Sequence, residues 1–349
     1  LKKIKKIKPY QISKYMQKIT GTTDYSGFHD KDLVIEAIVE DVKIKQTVLS
    51  EVESVVTDET IIATNTSSLS ITEIAHALKK PERFIGMHFF SPVNRMPLVE
   101  IIPGDKTSPE TIATILDCAR KMKKTPIVVK NCPGFLINRV LLPYIKEAMH
   151  LLEEGISPVK IDQIATKFGM PIGPLALADE VGLDVGFKVL KVLEDGYGER
   201  MKMPELCHEM SQDTSILGKK SKKGFYLYKG KKPISNPDLK KWVSKINKPK
   251  KKQSDQKIIQ RLIYIMLNEA ALCLDEKVIK SPALLDMALI MGIGFPPFRG
   301  GLCKYADQIG VKSIIKTLNQ LQGQYGDRFK PAQYLQALSE KKSMFYDNE

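Results

Sequence analysis

Residues 33–64 read LVIEAIVEDVKIKQTVLSEVESVVTDETIIAT, and this stretch decides the fold. Its two ends, 33–38 and 61–64, are short runs rich in Ile, Val and Leu that are typical of buried strands. Between them Val48 and Val52 lie at helical spacing, so the stretch predicts a strand, a helix and a second strand. Such βαβ units build mostly parallel sheets, in which ligands bind at the carboxyl ends of the strands.

The same alternation continues further along the chain. Three more runs, at 84–88, 98–102 and 125–129, have the length and composition of strands, and a helix begins near Pro109. Beyond the last of these runs the periodicity becomes helical. We therefore predict an α/β domain over residues 1–130 that is followed by all-α structure.

An internal repeat divides the helical part. In each copy a Gly-x-Pro follows the long helical stretch, at 169–171 and at 294–296. Five residues recur in order: Arg139, Glu147, Ala148, Leu152 and Glu154 match Arg261, Glu269, Ala270, Leu274 and Glu276. A chance likeness between two amphipathic helices is the alternative, but the shared Gly-x-Pro favours a duplication.

The repeat also gives the boundaries of the helical domains. We predict a first helical domain over residues 131–230 and a second over residues 257–349. Residues 231–256 between them are rich in Lys and Pro and poor in apolar residues. That composition predicts an exposed linker.

Composition narrows the classes of function. The 349 residues include 54 Lys and Arg against 40 Asp and Glu, a formal net charge of +14. Aromatic residues make up only 7% and no nucleic-acid-binding signature is present, so we expect no nucleic-acid partner. A basic solvated surface or phosphate-bearing ligands explain the charge better. No run approaches the roughly 18 apolar residues of a transmembrane helix.

Cysteine and histidine usage argues against metal chemistry. The five cysteines are an odd number without a C-x-x-C, which is typical neither of a disulfide framework nor of a zinc site. None of the five histidines has a second histidine at i+4. The sequence therefore predicts no metal and a reducing compartment.

His88 is the clearest candidate for chemistry. It lies at the apparent end of a predicted strand, where a histidine can act as an acid or a base near neutral pH. Glu100 lies in the apolar run 98–102, and a carboxylate there needs a partner. An imidazole suits this role, although a lone histidine at a strand end is more often structural.

Two polar segments accompany this pair. The turn 64–68, TNTSS, follows a strand and offers hydroxyl donors, or it caps a helix that begins at Ile71. Asn138 lies in the first turns of a long helix after Pro133-Gly134. Its counterpart in the second copy is Gln260, whereas the neighbouring arginine is kept. Asn138 is therefore specific to the first copy, and the arginine is architectural.

Taken together, the sequence resembles the 3-hydroxyacyl-CoA dehydrogenase family, and most closely the dehydrogenase portion of the multifunctional α-subunit of fatty-acid β-oxidation. Seven segments occur in the order of the family and cover nearly the whole chain. They are VIEAIVEDVKIKQ (34–46), IIATNTSSLSI (61–71), FIGMHFFSPVNRMPLVEII (84–102), NCPGFLINRVLLPY (131–144), KFGMPIGPLALADEVGLDVG (167–186), GKKSKKGFYLY (218–228) and GIGFPPFRGG (292–301).

The resemblance implies a fold and an activity. It implies a Rossmann-type NAD-binding domain, followed by two tandem helical domains of the 6-phosphogluconate-dehydrogenase-like type. It also implies NAD-dependent oxidation of (3S)-3-hydroxyacyl-CoA to 3-oxoacyl-CoA. A homodimer and a thiolase partner are the expected assemblies, in the bacterial cytoplasm or, alternatively, the mitochondrial matrix.

The resemblance also implies roles for individual residues. His88 is the general base for the 3-hydroxyl group, and Glu100 orients its ring. Ser67 and Asn138 bind the substrate oxygen, and Ser67 also lies near the cofactor. The remaining cofactor-binding residues that the resemblance implies are Ala37, Glu40, Lys45 and Ser91.

Two departures from the family stand out. The family's Rossmann domain opens with a strand, a G-x-G-x-x-G turn and a helix, and no such turn occurs in residues 1–130. The order of the segments puts Leu1 after that unit, so we expect an incomplete Rossmann domain and an inactive chain. Lys222 occupies a position at which relatives often have glycine. It lies in a Lys-rich loop, which faces either the phosphates of CoA or of the cofactor, or solvent.

Two alternatives to this activity remain. One is a catalytically silent assembly or scaffold part of a β-oxidation complex, which predicts oligomerisation without NAD binding. The other is a β-hydroxyacid dehydrogenase that acts on free acids, which the continuous match to the acyl-CoA group disfavours.

Overall fold

The computed structural model describes residues 8–230, 232–246 and 248–347. Residues 1–7, Lys231, Asn247 and residues 348–349, which fall in the predicted domains and linker, lie outside the described residues. Within the described ranges, no helix has the length and apolar composition needed to cross a membrane.

A five-stranded sheet forms the centre of the first domain. Its strands are β1 (Leu33–Glu36), β2 (Ile61–Thr64), β3 (Phe84–Phe89), β4 (Leu98–Pro103) and β5 (Thr125–Val128). They lie in the order of the sequence, with β1 and β5 at the two edges. All pairs are parallel except β3 and β4, which form an antiparallel hairpin. The mostly parallel sheet predicted from the sequence is confirmed.

Four helices belong to the described part of this domain, and the sequence predicts all but the first of them. They are α1 (Pro9–Met16), α2 (Val42–Val55), α3 (Ile71–Ala75) and α4 (Pro109–Lys121). α4 begins where predicted, because Ser108 caps it by accepting a hydrogen bond from the Thr111 N–H. Its buried face packs on one side of the sheet, while α2, α3 and the helical domains contribute to the core on the other side.

The rest of the chain is helical apart from a two-stranded sheet of β6 (Tyr226–Leu227) and β7 (Ile234–Ser235). The helices of the first copy are α5 (Ile137–Glu153), α6 (Pro158–Phe168), α7 (Pro174–Val181), α8 (Leu183–Tyr197) and α9 (Glu205–Ser211), followed by α10 (Leu239–Ile246). Those of the second copy are α11 (Asp255–Asp275), α12 (Pro282–Ile293), α13 (Leu302–Ile309), α14 (Val311–Tyr325) and α15 (Gln333–Lys341). The long helices α5 and α11 pack against each other.

The buried Arg139 of α5 binds two carboxylates of the second copy. Its Nε donates to Glu269 at 2.7 Å, and its two Nη atoms donate to the two oxygens of Glu276 at 2.7 and 2.8 Å. The guanidinium also stacks on the Tyr197 ring at 4.5 Å. Bidentate contacts of this kind fix both position and orientation.

Arg261 of α11 repeats this arrangement in the opposite direction. Its Nε donates to Glu147 of the first copy at 2.6 Å, and its Nη atoms donate to Glu154 at 2.7 and 2.9 Å. Its guanidinium lies 3.8 Å from the centroid of the Tyr325 ring. The two copies are thus joined by reciprocal contacts, and the prediction that these arginines are architectural agrees with their contacts.

The Gly-x-Pro segments meet at the same interface. A Cβ atom on Gly169 would lie 2.9 Å from Pro296, and one on Gly294 would lie 2.7 Å from Pro171. Both glycines also have positive φ, at 120° and 71°. The punctuation that marked the repeat in the sequence is therefore a requirement for close packing between the copies.

The prediction of an exposed linker over residues 231–256 is wrong where β7 and α10 form, although most of the described side chains in this segment are exposed. β7 pairs with β6, and α10 packs its buried Leu239 and Trp242 on the first helical domain. The many lysines hid these apolar positions, because a short helix needs only one buried face. Among the described residues of this segment, 232–233, 236–238 and 248–254 lie outside helices and strands.

We expect Arg261→Met to lower the free energy of unfolding by about 3–5 kcal/mol at pH 7, because it removes the bidentate cation of the buried Glu154 and one of the two arginines that bind the buried Glu147. Burial alone would raise the pKa of Glu147, but the charges of Arg261 and Arg328 lower it to about 2. This stabilisation is present above the pKa of about 4.5 in the unfolded chain and is lost as the pH falls towards 2.

Urea denaturation at several pH values measures this effect. The difference between the wild type and Arg261→Met should shrink below a pH of about 4.5. Arg120→Met, which breaks only an exposed ion pair with Asp117, is the control and should change stability by less than about 0.5 kcal/mol. A loss for Arg261→Met no larger than the control's would contradict the prediction.

Candidate active site

His88 and Glu100 face each other across the hairpin of β3 and β4, whose antiparallel register pairs the two residues directly. His88 Nδ1 donates a hydrogen bond of 2.7 Å to Glu100 Oε2, and both side chains are buried. Because a carboxylate only accepts, this bond fixes the proton on Nδ1 and leaves the lone pair on Nε2. Nε2 has no partner among the described residues, so it can accept a proton from a ligand.

The start of α5 supplies the other partners of Glu100. Its Oε1 accepts hydrogen bonds of 3.0 Å from the backbone N–H groups of Leu136 and Ile137. These amides have no partner within the helix, and the positive end of the helix dipole favours an anion beside them. The chain reaches this position through Gly134 and Phe135, which both have positive φ. Three donors thus hold the Glu100 carboxylate in one orientation.

Aromatic rings enclose the imidazole of His88. The centroid of its ring lies 4.6 Å from that of Phe90 and 5.9 Å from that of Phe135. Apolar walls limit the access of water, which strengthens the hydrogen bond between His88 and Glu100.

The turn 64–68 lies beside Glu40 at the carboxyl end of β2. Glu40 Oε1 accepts hydrogen bonds from the Ser67 N–H at 2.8 Å and from Thr66 Oγ1 at 2.7 Å. Among the described residues, the Ser67 hydroxyl has no hydrogen-bond partner. The residue that caps α3 is Ser70, so capping does not account for Ser67.

Asn138 contacts this turn directly. Its Nδ2 donates a hydrogen bond of 2.9 Å to the backbone oxygen of Ser67. One N–H of the amide therefore ties the backbone, while the second N–H and Oδ1 stay available to a ligand. The structure brings together Ser67 of the sheet domain and Asn138 of the helical domain, as the sequence predicts.

Lys45 is not a free cation. It is buried, and its Nζ lies 2.7 Å from Glu36 Oε1 and 3.5 Å from Glu40 Oε2. Glu36 also accepts from Thr64 Oγ1 and from the Ile38 N–H. Sequence reasoning missed Glu36, although the signal that identified Glu100, a carboxylate in an apolar strand, applies to it as well.

Asn65 is a second residue that the sequence reasoning missed. Its Oδ1 accepts a hydrogen bond of 2.8 Å from the Phe89 N–H, and its own backbone N–H donates to the backbone oxygen of Glu36. It therefore joins the ends of β1, β2 and β3. Of the other predicted cofactor residues, Ala37 is exposed directly after β1 and Ser91 is exposed two residues after β3.

The residues present fit one half of a bound NAD. Glu40 is partly exposed and keeps an acceptor oxygen, which suits a ribose hydroxyl, and Ser67 adds a free hydroxyl. A pyrophosphate needs backbone N–H groups at a Gly-rich turn before a helix. Residues 1–130 contain no G-x-G-x-x-G, and Gly21 and Gly27 are isolated. Among residues 8–130, which the structure describes, no Gly-rich turn before a helix fits the pyrophosphate.

The Lys-rich loop is engaged within the protein. Lys219 and Lys220 form ion pairs of 2.6 Å with Glu180 and Asp184. Lys222 has a φ of 61°, a conformation that favours glycine. These contacts favour the structural interpretation of the loop over a phosphate site.

Comparisons with known proteins show which family the chain is similar to. Residues 1–132 match the family described as 3-hydroxyacyl-CoA dehydrogenase, NAD binding domain, and residues 134–228 match 3-hydroxyacyl-CoA dehydrogenase, C-terminal domain. The chain is 45% identical over 340 residues to the fatty acid oxidation complex subunit alpha of Vibrio vulnificus. That alignment covers 97% of this chain and 48% of the relative, so the chain spans about half the length of this curated relative.

Solved structures extend the likeness to the second helical domain. The 3-hydroxybutyryl-CoA dehydrogenase from Escherichia coli K12 matches with a TM-score of 0.84 and 26% identity, over 97% of this chain and 88% of that one. The dehydrogenase part of multifunctional enzyme 1 from C. elegans matches with a TM-score of 0.64 and 30% identity, over 96% and 78%. The sequence, the fold and the family matches lead to one conclusion: the chain belongs to the 3-hydroxyacyl-CoA dehydrogenase family.

Proposed function

We propose that this chain carries the acid–base centre and the substrate side of an NAD-dependent 3-hydroxyacyl-CoA dehydrogenase of fatty-acid β-oxidation. The reaction oxidises (3S)-3-hydroxyacyl-CoA to 3-oxoacyl-CoA. The observation that carries the proposal is the buried His88–Glu100 pair, whose Nε2 has no protein partner among the described residues. The names of the Escherichia coli and C. elegans proteins support the same reaction class.

The residues of the chain perform the proton chemistry. His88 Nε2 takes the proton of the 3-hydroxyl group, and Glu100 stabilises the cationic ring that results. In the reverse direction His88 returns this proton to the oxygen at C3. Ser67 and Asn138 hydrogen-bond that oxygen and hold the thioester in place. NAD, when bound, accepts the hydride from C3.

The cofactor needs more than these residues supply. Glu40, Ser67, Ala37 and Ser91 are proposed to line its nicotinamide end, with Lys45 holding Glu40. We propose that a segment outside residues 1–349 supplies the pyrophosphate turn. β1 is the edge strand beside which such a segment fits, and its Ile35 is 37% exposed there.

Assembly and location are further proposals. The relative in Vibrio vulnificus is named as a subunit of a fatty acid oxidation complex, which supports assembly with a partner protein. We propose a multifunctional enzyme, a thiolase as this partner and a bacterial cytoplasm as the location, as the family resemblance implies. The predicted homodimer would need a surface other than the one between the two helical copies, because the two copies cover that surface within the chain. A scaffold role without catalysis is the second candidate, and the unmatched pyrophosphate site is the observation that favours it.

NADH-dependent reduction of acetoacetyl-CoA tests the proposal on two proteins. One is the chain of residues 1–349, and the other is a longer polypeptide that includes the upstream sequence. Activity in the longer protein alone is the expected result. Activity in both would contradict the proposed division of the cofactor site. Activity in neither, with short and long acyl chains alike, would favour the scaffold role, and activity on free acids alone would favour a β-hydroxyacid dehydrogenase.

His88→Gln in the longer protein should lower turnover by about 10²–10⁴-fold, because the ring can no longer take the proton. His76→Gln is the control, since His76 is exposed at the end of α3 and should leave turnover unchanged. Steady-state kinetics and far-UV circular dichroism measure activity and folding side by side. Near-normal turnover in His88→Gln would remove His88 from the mechanism.

Glu100→Gln should lower turnover roughly 10–150-fold, because hydrogen bonds to a charged group contribute about 1.5–3 kcal/mol. The pH profile of kcat should shift as well, since a neutral amide stabilises the cationic ring less than a carboxylate does. A reduced turnover with an unchanged pH profile would make Glu100 purely structural.

A further inference from the structure

The first turn of α5 joins three parts of the molecule. Ile137 donates its backbone N–H to Glu100, and Asn138 donates to the backbone of Ser67. The next residue, Arg139, binds Glu269 and Glu276 of the second helical copy. Three consecutive residues therefore link the acid–base pair, the proposed substrate turn and the second helical copy.

Glu276 is the stronger of the two anchors of Arg139. Both of its oxygens accept from the guanidinium, whereas Glu269 accepts through one oxygen that it shares with Arg200. Burial alone would raise the pKa of the Glu276 carboxyl, but Arg139 holds it below its usual value. Since Arg139 is fully buried, the bidentate contact limits any movement of the first turn of α5.

The second copy also makes apolar contacts with residues next to Glu100. Gly292 of α12 lies so close to the sheet that a Cβ atom would be 2.8 Å from Leu98 and 3.1 Å from Ile137. Leu98 is two residues before Glu100 on β4, and Ile137 is one of its two amide donors. The second copy therefore supports Glu100 from the strand side and from the helix side.

We propose that Glu276 is a positioning residue for the reaction, which acts through Arg139 and the first turn of α5 on the His88–Glu100 pair. The second helical copy is then part of the active-site support. This inference rests on the proposed function and extends it to a residue 137 positions away from Arg139 in the sequence.

The repeat provides a matched control. Glu154 binds Arg261 with the same bidentate geometry, but Arg261 lies on α11 and contacts neither Glu100 nor Ser67. The side chain of Glu154 is also more buried, at 8% exposure against 41% for Glu276. Glu154→Gln should therefore disturb the fold at least as much as Glu276→Gln.

Two readouts compare Glu276→Gln with Glu154→Gln. In the longer protein, Glu276→Gln should lower kcat roughly 10–100-fold and shift its pH profile, with little change in KM for acetoacetyl-CoA. Glu154→Gln should stay within about twofold of the wild type. In the chain of residues 1–349, proton NMR should detect the hydrogen-bonded Nδ1 proton of His88, which His88→Gln identifies by its loss. Glu276→Gln should shift or broaden this resonance, and Glu154→Gln should not.

Equal effects of the two variants, or none in either, would overturn the proposal. The NMR measurement does not require turnover. An inactive longer protein would therefore refute the proposed function, while the NMR measurement would still decide whether Glu276 positions the His88–Glu100 pair. If Glu276→Gln fails to fold, Glu276→Asp is compared with Glu154→Asp, because the shorter side chain keeps the charge but cannot reach the guanidinium with both oxygens in the same way. Only Glu276→Asp should disturb the resonance of His88; an undisturbed resonance would overturn the proposal.

Discussion

The carboxylate of Glu100 is the group on which the rest of this structure depends. It is completely buried, and a buried charge without partners costs several kcal/mol. Its partners come from different elements, the imidazole of His88 on β3 and two backbone amides at the start of α5. The pair with His88 forms within the sheet domain, whereas the two amides reach Glu100 only when the start of α5 lies against β4.

Buried charges that need partners also join the two helical copies to each other. Each copy contributes one buried arginine and two glutamates, and each arginine binds the glutamates of the other copy. The contact is reciprocal, like that between two subunits related by a twofold axis. Only one of the two arginines adjoins the acid–base pair, because only the first copy is preceded by a sheet domain. Chemically similar contacts thus have different consequences in the two copies.

The two halves of the cofactor are unequally represented. At the end proposed for the nicotinamide, Glu36 neutralises Lys45 and binds Thr64, and the neighbouring Glu40 holds the turn that contains Ser67. At the pyrophosphate end, residues 1–130 contain no Gly-rich turn. The chain spans about half of its relative in Vibrio vulnificus. The described residues therefore support the proposed proton transfer and the proposed binding of the substrate oxygen better than they support the binding of a pyrophosphate.

The sequence by itself determined the five strands of the first domain, the position of a few helices, the duplication and the candidacy of His88, Glu100, Ser67 and Asn138. These features follow from local signals: periodicity, Pro and Gly punctuation, and a polar residue in an apolar run. Only the tertiary structure decided that β3 and β4 pair antiparallel with His88 opposite Glu100, that the start of α5 completes the partners of Glu100, and that Glu36 neutralises Lys45. It also decided that α10 packs within the supposed linker. Strand register, charge pairing and the burial of one helix face arise between segments far apart in the chain, so no local pattern encodes them.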